Sequence, residues 1–135
     1  MSTLRILHSA DLHLDSPFEG LTRGKAAIRR AEQRQLLTRM AELARTENVD
    51  LVLLAGDLLD SESTYLETGE ELLRSLQGMG VPVFIAPGNH DHISHRSPYT
   101  RLKLPGNVHV FTENEISCME LPELGARVYG AAFTE

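Results

Sequence analysis

Three short apolar runs, separated by two long segments of helical periodicity, constrain the fold of this chain more than any other feature of its sequence. The runs cover residues 4–8, 51–55 and 81–86, and polar residues or glycines bound each of them. Continuous apolar runs of this length are typical of buried parallel strands. The order strand, helix, strand, helix, strand predicts right-handed crossovers in an α/β sheet with helices on both faces.

The two intervening segments carry apolar residues at the spacing of an amphipathic helix. In the first segment, residues 25–47, the predicted core-facing positions are Ile28, Ala31, Leu36, Leu37, Met40, Leu43 and Ala44. The second segment covers residues 65–79, where Ser63 or Thr64 is expected to cap the start and Gly78 to mark the end. Both segments are long enough to connect neighbouring parallel strands.

The chain becomes less regular after residue 88, where prolines and glycines interrupt the apolar pattern. Residues 108–111 are predicted to form a fourth strand, and residues 116–121 and 127–131 to form the two strands of a hairpin. The final residues carry no turn or stop signal. We therefore expect residues 1–135 to be the N-terminal part of a single, larger domain.

The composition fits one globular domain and excludes several classes of protein. Of the 135 residues, 41% are hydrophobic and 24% are charged. No apolar stretch approaches the length of about 20 residues that a membrane-spanning helix needs, and the N-terminus does not resemble a signal peptide. The sequence therefore predicts a cytoplasmic protein without a membrane partner. A net charge of -6 argues against binding nucleic acid through a basic surface alone, although divalent cations would supply positive charge locally.

Polar residues follow each of the three predicted strands directly. They are Asp11 and His13 after the first strand, Asp57 and Asp60 after the second, and Asn89, His90 and Asp91 after the third. The carboxyl ends of neighbouring parallel strands meet along one edge of a sheet, where ligands usually bind. We therefore expect these residues, distant in the sequence, to share one site.

The residue types in these clusters suit divalent transition metals. Carboxylate and imidazole groups bind ions such as Mn, Fe or Zn, and the Asn89 amide oxygen is a neutral ligand. Asp57 is the best placed to bridge two ions, because the glycine before it lets the backbone approach closely. His90 is predicted to protonate a leaving alcohol, with Asp91 orienting its imidazole. Asp60 is expected to contact the metal ligands and hold them in position without binding the metal itself.

Two further polar residues allow more than one interpretation. His8 lies within the first predicted strand, where a hydrogen-bonded supporting histidine is favoured over a ligand. Asp15 is placed to approach a substrate, but a turn before Pro17 explains it equally well. The stretch 92–103, which contains Arg96, Arg101 and Lys103, is a candidate loop for contact with DNA.

The succession DxH, GDxxD and GNHD over residues 11–91 resembles the first three motifs of the calcineurin-like metallophosphoesterases. Residues 8–18 and 56–60 are similar to those of SbcD-like DNA-repair exonucleases. The resemblance implies the first half of a larger α/β sandwich, with manganese as the usual ion and DNA ends as substrate. It also implies a homodimer and a coiled-coil ATPase of the SMC type as partner. By motif, it assigns Asp11 and His13 to the first metal, Asp57 to the bridge, Asn89 to the second metal and His90 to catalysis.

The sequence also departs from this family pattern. Such enzymes supply further histidines downstream, including a Gly-His-x-His motif that is missing from these 135 residues. The sequence therefore predicts nearly one complete metal site and half of a second, and weak catalysis by these residues alone. Two alternatives stay open: a phosphoesterase for a nucleotide or phosphoprotein, and an inactive domain that binds a partner.

Overall fold

A four-stranded parallel sheet forms the centre of the protein. The computed structural model describes residues 3–135. In the order in which they lie side by side, the strands are β1 (Ile6–Ser9), β2 (Leu51–Ala55), β3 (Val83–Ala86) and β4 (Val108–Val110). All three strand pairs are parallel, so the carboxyl ends of the strands meet at one edge. This edge carries the three polar clusters, as the sequence predicts.

Two long helices and one short helix connect the strands. They are α1 (Arg23–Thr46), α2 (Leu66–Gly78) and α3 (Pro98–Arg101). Beyond the sheet, an antiparallel hairpin consists of β5 (Ser117–Leu121) and β6 (Ala126–Gly130). The described residues 3–135 contain no helix that is long and apolar enough to cross a membrane.

The α/β class is confirmed, but both long helices pack against the same face of the sheet. Side chains alternate between the faces of a strand, and Val52 and Val83 share one buried cluster with Leu37 of α1 and Leu72 of α2. The strand order advances in one direction from β1 to β3, so consecutive right-handed crossovers place their helices on one side. The expectation of helices on both faces is therefore corrected. The opposite face of the sheet carries Phe84, whose ring stacks with the ring of Phe111, the residue that follows β4.

Helix α1 buries only part of the apolar stripe that its sequence predicts. Leu37, Met40 and Ala44 are buried, as expected. Ile28, Leu36 and Leu43 are 59%, 42% and 46% exposed, so their assignment to the core is wrong. A helix can bury only one side of its surface against its neighbours. In α1 that side is narrower than the sequence predicts, and it faces the sheet and α2.

The start of α2 is capped by a residue from another loop. Neither Ser63 nor Thr64 is the cap: Tyr65 occupies the N-cap position and its side chain makes no capping hydrogen bond. The Asp15 carboxylate instead accepts hydrogen bonds from the Tyr65 amide at 2.9 Å and from the Thr68 hydroxyl at 2.6 Å. Asp15 therefore supplies the missing cap acceptor and ties the loop after β1 to this helix.

The less regular part of the chain follows its predicted outline. The fourth strand is present as Val108–Val110, and the predicted hairpin is present as Ser117–Leu121 and Ala126–Gly130. Gly125 precedes the second hairpin strand with a left-handed φ of 62°. This conformation is the one that glycine adopts at low cost, so the turn residue was readable from the sequence.

Candidate metal centre

The loops after β1 and β2 are joined by backbone hydrogen bonds that continue the parallel pairing past the strands. The Asp11 amide donates to the carbonyl of Gly56, and the His13 amide donates to the carbonyl of Asp57, each at 2.9 Å. Leu14 forms an isolated parallel bridge with the second loop. The backbone register of the two loops thus places Asp11, His13 and Asp57 side by side.

These loops concentrate left-handed backbone conformations in residues other than glycine. The residues with positive φ are Asp11, His13, Asp15, Phe18 and Asp57. Each such residue costs on the order of 1 kcal/mol or more, with aspartate among the cheaper types, and persists only where surrounding contacts enforce it. Strain of this kind clusters at functional sites. The loop after β1 is therefore held in its shape by its neighbours rather than by its own preferences.

Gln33 of α1 supplies one of those contacts. Its side-chain Nε2 donates to the carbonyl of Leu12 at 3.3 Å and to the carbonyl of His13 at 3.2 Å. Sequence reasoning missed this residue, because a glutamine on a helix gives no local signal of a contact with a loop 20 residues earlier. Gln33 holds the backbone that carries the His13 side chain.

Three potential ligand atoms converge at the edge of the sheet. The Nε2 atom of His13 lies 3.9 Å from Oδ1 of Asp11 and 3.8 Å from Oδ2 of Asp57. One ligand atom from each of these residues lies within 4.8 Å of the others. Within residues 3–135, neither Asp11 nor Asp57 forms an ion pair with a lysine or arginine. Carboxylates without a cationic side-chain partner, combined with an imidazole, are a donor set that fits a divalent transition metal.

Asp60 orients the His13 imidazole. Oδ1 of Asp60 lies 3.0 Å from Nδ1 of His13, so the other ring nitrogen, Nε2, faces Asp11 and Asp57. A carboxylate behind a ligating histidine fixes the tautomer and ring orientation and raises the basicity of the ligand nitrogen. The contact places Asp60 where its predicted supporting role requires it.

Asp57 is buried between the loops, and only part of its carboxylate is free. The side chain belongs to a residue that is 8% exposed, and its Oδ1 accepts a hydrogen bond from the His90 amide at 2.9 Å. Gly88 makes this packing possible, because a Cβ atom at that position would lie 2.3 Å from Asp57 Oδ1. The glycine is required by the close approach, while Oδ2 of Asp57 remains directed toward His13.

Asp91 is a buried anchor for the loop after β3. It is 2% exposed and accepts hydrogen bonds from the backbone amides of Asp57, Leu59 and Gly88 and from the Tyr99 hydroxyl. Burial raises the pKa of Tyr99 well above its usual value, and the charge of Asp91 raises it further, so the phenol remains a donor. No hydrogen bond joins Asp91 to the His90 imidazole among the described residues. The expectation that Asp91 orients the His90 imidazole is therefore not supported by a contact between them. The Asp91 carboxylate instead joins the loops after β2 and β3.

The remaining predicted residues lie at different distances from the centre. His90 is exposed, and its ring meets the His13 ring edge-on with 5.0 Å between centroids. His90 also forms a second group of close ligand atoms with His13 and Asp60, which are already hydrogen-bonded to each other. Asn89 is exposed in the same loop as His90. His8 is exposed on β1 and belongs to neither group of ligand atoms. Within residues 3–135, no hydrogen bond of its side chain supports the role expected for it.

The basic stretch after the third cluster is tied to the loop after β2. Arg101 donates to the carbonyl of Glu62 at 2.8 Å, and the Arg96 guanidinium lies 3.8 Å from the Glu62 carboxylate. Surface ion pairs of this kind contribute little to stability, but the backbone contact fixes the position of the stretch. Two basic side chains therefore contact the loop after β2.

Comparison with known proteins agrees with this geometry. Residues 4–132 match the family model described as Calcineurin-like phosphoesterase. The chain is 34% identical over 142 residues to the Uncharacterized metallophosphoesterase YhaO of Bacillus subtilis, covering 98% of this chain and 34% of the relative. It is 27% identical over 128 residues to a subunit of the nuclease SbcCD of the same organism, covering 90% of this chain and 31% of that relative.

A third relative matches a shorter part of the chain. The chain is 36% identical over 90 residues to the DNA double-strand break repair protein Mre11 of Aeropyrum pernix, covering 64% of this chain and 21% of the relative. The chain spans about a third or less of the length of these curated relatives. The family match covers nearly all of the chain, including the three loops that bring the carboxylates and histidines together. The chain therefore belongs to the calcineurin-like phosphoesterases, a family of metal-dependent phosphoester hydrolases.

Proposed function

We propose that this chain supplies the metal-binding half of a phosphodiesterase centre that cleaves DNA at its ends. The convergence of Asp11, His13 and Asp57 at the carboxyl edge of the sheet, with His90 beside them, carries the proposal. Two of the relatives described above bear the names of a nuclease component and a DNA double-strand break repair protein. These names support a phosphodiester in DNA as the substrate.

The ligand roles follow from which atoms are free. Asp11 and the Nε2 atom of His13 would hold one cation, and Asp57, through its carboxylate, would bridge to a second cation near Asn89. When bound, two divalent ions, manganese in the first instance, activate a water molecule for attack on phosphorus and neutralise charge on the phosphoryl group. Asp60 keeps the His13 nitrogen directed at the site through its hydrogen bond to Nδ1. Asn89 alone would leave the second site incomplete, so ligands from outside these residues are needed there.

His90 is proposed to act on the substrate rather than to hold a metal. Its amide is fixed by Asp57, while its imidazole is exposed at the opening of the site. An exposed imidazole beside the ligands can donate a proton to the 3′ oxygen as it leaves phosphorus. The buried Asp91 holds the His90 loop through backbone amides, so its contribution is to position that loop.

The substrate and the partners rest on the relatives and on the local charge. A net charge of -6 disfavours binding of DNA through a basic surface alone, whereas Arg96 and Arg101 contact the loop after β2, which also carries Asp57 and Asp60. One relative is named as one component of a nuclease, which supports a second protein as partner, here proposed as a coiled-coil ATPase of the SMC type. A homodimer and a cytoplasmic location belong to the same proposal.

Hydrolysis of a phosphoester other than DNA is the second candidate function. The relative that covers 98% of this chain carries only the name of a metallophosphoesterase, which specifies the reaction class and no substrate. The residues that converge at the sheet edge likewise determine phosphoester chemistry better than substrate choice, which depends on loops and attached domains. Nucleotides and phosphoproteins therefore remain competing substrates.

Metal binding and substrate cleavage test the proposal separately. Calorimetric titration with Mn²⁺ should show binding to the 135-residue chain that Asp57→Asn weakens by at least about tenfold. Cleavage of linear DNA, a chromogenic phosphodiester and a phosphomonoester should then be compared in Mn²⁺, using the complete protein. His90→Ala should slow diester cleavage by about 100-fold or more, whereas His95→Ala, an exposed histidine outside both ligand groups, should not.

The results of these experiments distinguish the two candidate functions. Cleavage of the monoester but not of DNA would favour the second candidate. A chain that binds no Mn²⁺, or whose affinity is unchanged by Asp57→Asn, would contradict the metal centre itself.

A further inference from the structure

An open cleft lies directly beside the metal centre. Its volume is about 420 Å³, and it is bounded by the loop after β1, through Pro17, and by residues 60–65 between β2 and α2. Asp60 connects this cleft with the metal centre, because its carboxylate contacts Nδ1 of His13 and one of its oxygens lies within 4.8 Å of a ring nitrogen of His90. A part of the substrate that extends past His90, away from Asp11 and Asp57, would therefore approach the cleft. The volume is within the range of about 300–1,000 Å³ that small-molecule sites occupy.

The aromatic wall of this cleft is contacted by an arginine although it faces solvent. Tyr65 is 52% exposed, and its amide donates to the Asp15 carboxylate at 2.9 Å. The Arg30 guanidinium lies over the Tyr65 ring, 5.1 Å from the centroid, and Arg30 also donates to the Pro17 carbonyl at 3.4 Å. One arginine thus contacts both walls of the cleft. An exposed tyrosine fixed in this way loses little conformational entropy when a flat ligand stacks on it.

The charge of the lining selects which part of a substrate can enter. Asp60 contributes a carboxylate to the lining, whereas the Asp15 carboxylate is buried and lies 3.9 Å from the Arg34 guanidinium. A phosphate group would be repelled there, whereas the metal centre beside it attracts one. Ser61 and Ser63 add hydroxyl groups beside the tyrosine and proline rings. Two flat rings with hydroxyl groups at their edges, and Arg30 against one face of the tyrosine ring, suit an uncharged nucleobase stacked on the other face.

We propose that this cleft binds the base of an unpaired nucleotide adjacent to the scissile phosphate, with Tyr65 as its stacking platform. This inference rests on the proposed function, because it assumes a nucleic-acid phosphodiester at the metal centre. It makes the substrate a single-stranded end or a frayed terminus, since a base inside a duplex is not free to stack on a side chain. Arg30 acts as a positioning residue that keeps the ring in place.

Binding of two matched oligonucleotides tests the stacking platform. One is a short phosphorothioate-linked deoxythymidine strand, which resists cleavage, and the other is a fully abasic strand with the same number of phosphates. In Mn²⁺, the chain should bind the strand with bases about tenfold more tightly than the abasic strand, because stacking of a base on an aromatic side chain contributes on that order. Tyr65→Ala should abolish this preference, and Tyr65→Phe should preserve it.

A second exposed tyrosine provides the control. Tyr129 on β6 is 63% exposed and lies outside the cleft, so Tyr129→Ala should leave the preference intact. Circular dichroism establishes that each variant is folded. If Tyr65→Ala does not fold, Tyr65→Leu, which keeps an apolar side chain without a flat ring, provides the same comparison.

The results separate this inference from the proposed function. Equal binding of both strands by the unmodified chain, or an unchanged preference in Tyr65→Ala, would overturn the stacking platform. Tyr129 lies outside the cleft, so Tyr129→Ala should leave hydrolysis of the chromogenic diester by the complete protein within about twofold of the original rate. Loss of diester hydrolysis in the unmodified protein would instead count against the proposed function.

Discussion

The loops after β1 and β3 flank the same metal centre, but different kinds of contact hold them. The loop after β1 contains several left-handed residues and is supported from three directions: the backbone of the next loop, the Gln33 amide, and the Asp15 contact with α2. In the loop after β3, four hydrogen bonds converge on one buried carboxylate, Asp91, and the His90 amide and the backbone bonds to Phe133 add further contacts. The first loop is thus held by contacts spread over several groups, whereas in the second loop most side-chain contacts converge on one group.

This difference predicts how each loop responds to substitution. Removing one of several contacts leaves the others in place, so the loss should be close to that of one hydrogen bond, about 1 kcal/mol. Removing a buried group that satisfies several donors leaves all of those donors without a partner, which costs considerably more. Four substitutions test the contrast, beginning with the largest expected effect.

Asp91→Asn should destabilise the protein most. The amide nitrogen of the new side chain must face donors that the carboxylate now satisfies, so we expect the free energy of unfolding to fall by about 2–4 kcal/mol. Urea denaturation followed by circular dichroism measures it. Asp11→Asn, the same change at a side chain that is 69% exposed, should cost less than about 1 kcal/mol. Equal losses in the two variants would show that Asp91 is not an anchor.

Gly88→Ala should disturb both stability and metal binding. A Cβ atom there would lie 2.3 Å from Oδ1 and 2.7 Å from the amide nitrogen of Asp57, so one of the two loops must move. We expect a loss of about 1–3 kcal/mol in unfolding free energy and a fall of about tenfold in Mn²⁺ affinity. Gly106→Ala is the matched control, because its Cβ would meet no atom within 4 Å. Normal Mn²⁺ affinity in Gly88→Ala would mean that the position of Asp57 does not govern the site.

Asp60→Asn should weaken metal binding with little change in stability. The His13 ring would lose the carboxylate that orients it, and loss of such a partner typically lowers metal affinity by about 10–100-fold. Calorimetric titration with Mn²⁺ measures the change, and urea denaturation should show a difference below about 1 kcal/mol. Glu62→Gln removes a nearby carboxylate that belongs to neither group of ligand atoms and should leave affinity unaltered. An affinity loss shared by both variants would indicate general electrostatics rather than orientation of His13.

Gln33→Ala should have the smallest effect of the four. It releases the carbonyls of Leu12 and His13 from the α1 side chain while the other supports of the loop remain. We expect a loss of about 1 kcal/mol in unfolding free energy and a decrease of a few fold in Mn²⁺ affinity. Gln35→Ala, at an exposed position of the same helix, is the control. A loss as large as that of Asp91→Asn would show that Gln33 alone determines the loop, and the contrast between the two loops would fail.

Much of the fold follows from local pattern. The bounds of β2, the end of α2 and the hairpin agree with the sequence prediction, because apolar runs and glycines act over a few neighbouring residues. The convergence of Asp11, His13 and Asp57 was also predictable, since polar residues that follow adjacent parallel strands must meet at one edge. Their roles as metal ligands remain predictions.

Other contacts could not be predicted from the residues that neighbour them in the sequence. Asp91 follows His90 directly, yet its carboxylate is directed to backbone amides of two loops rather than to the imidazole. Asp15 lies in a turn, as one of its two interpretations allowed, but its acceptors serve the start of a helix 50 residues later. These pairings depend on how the loops pack, which no window of neighbouring residues reveals.

The sequence by itself determined the order of strands and helices, the edge at which polar residues collect and the class of chemistry they suit. Periodicity and strand order are local properties, and the geometry of parallel sheets converts them into a shared edge. Only the tertiary structure decided which face both helices cover, which carboxylate supports which group, and where a base-sized cleft opens beside Asp60. Those features depend on distances between segments far apart in the chain, and such distances are set by packing in three dimensions.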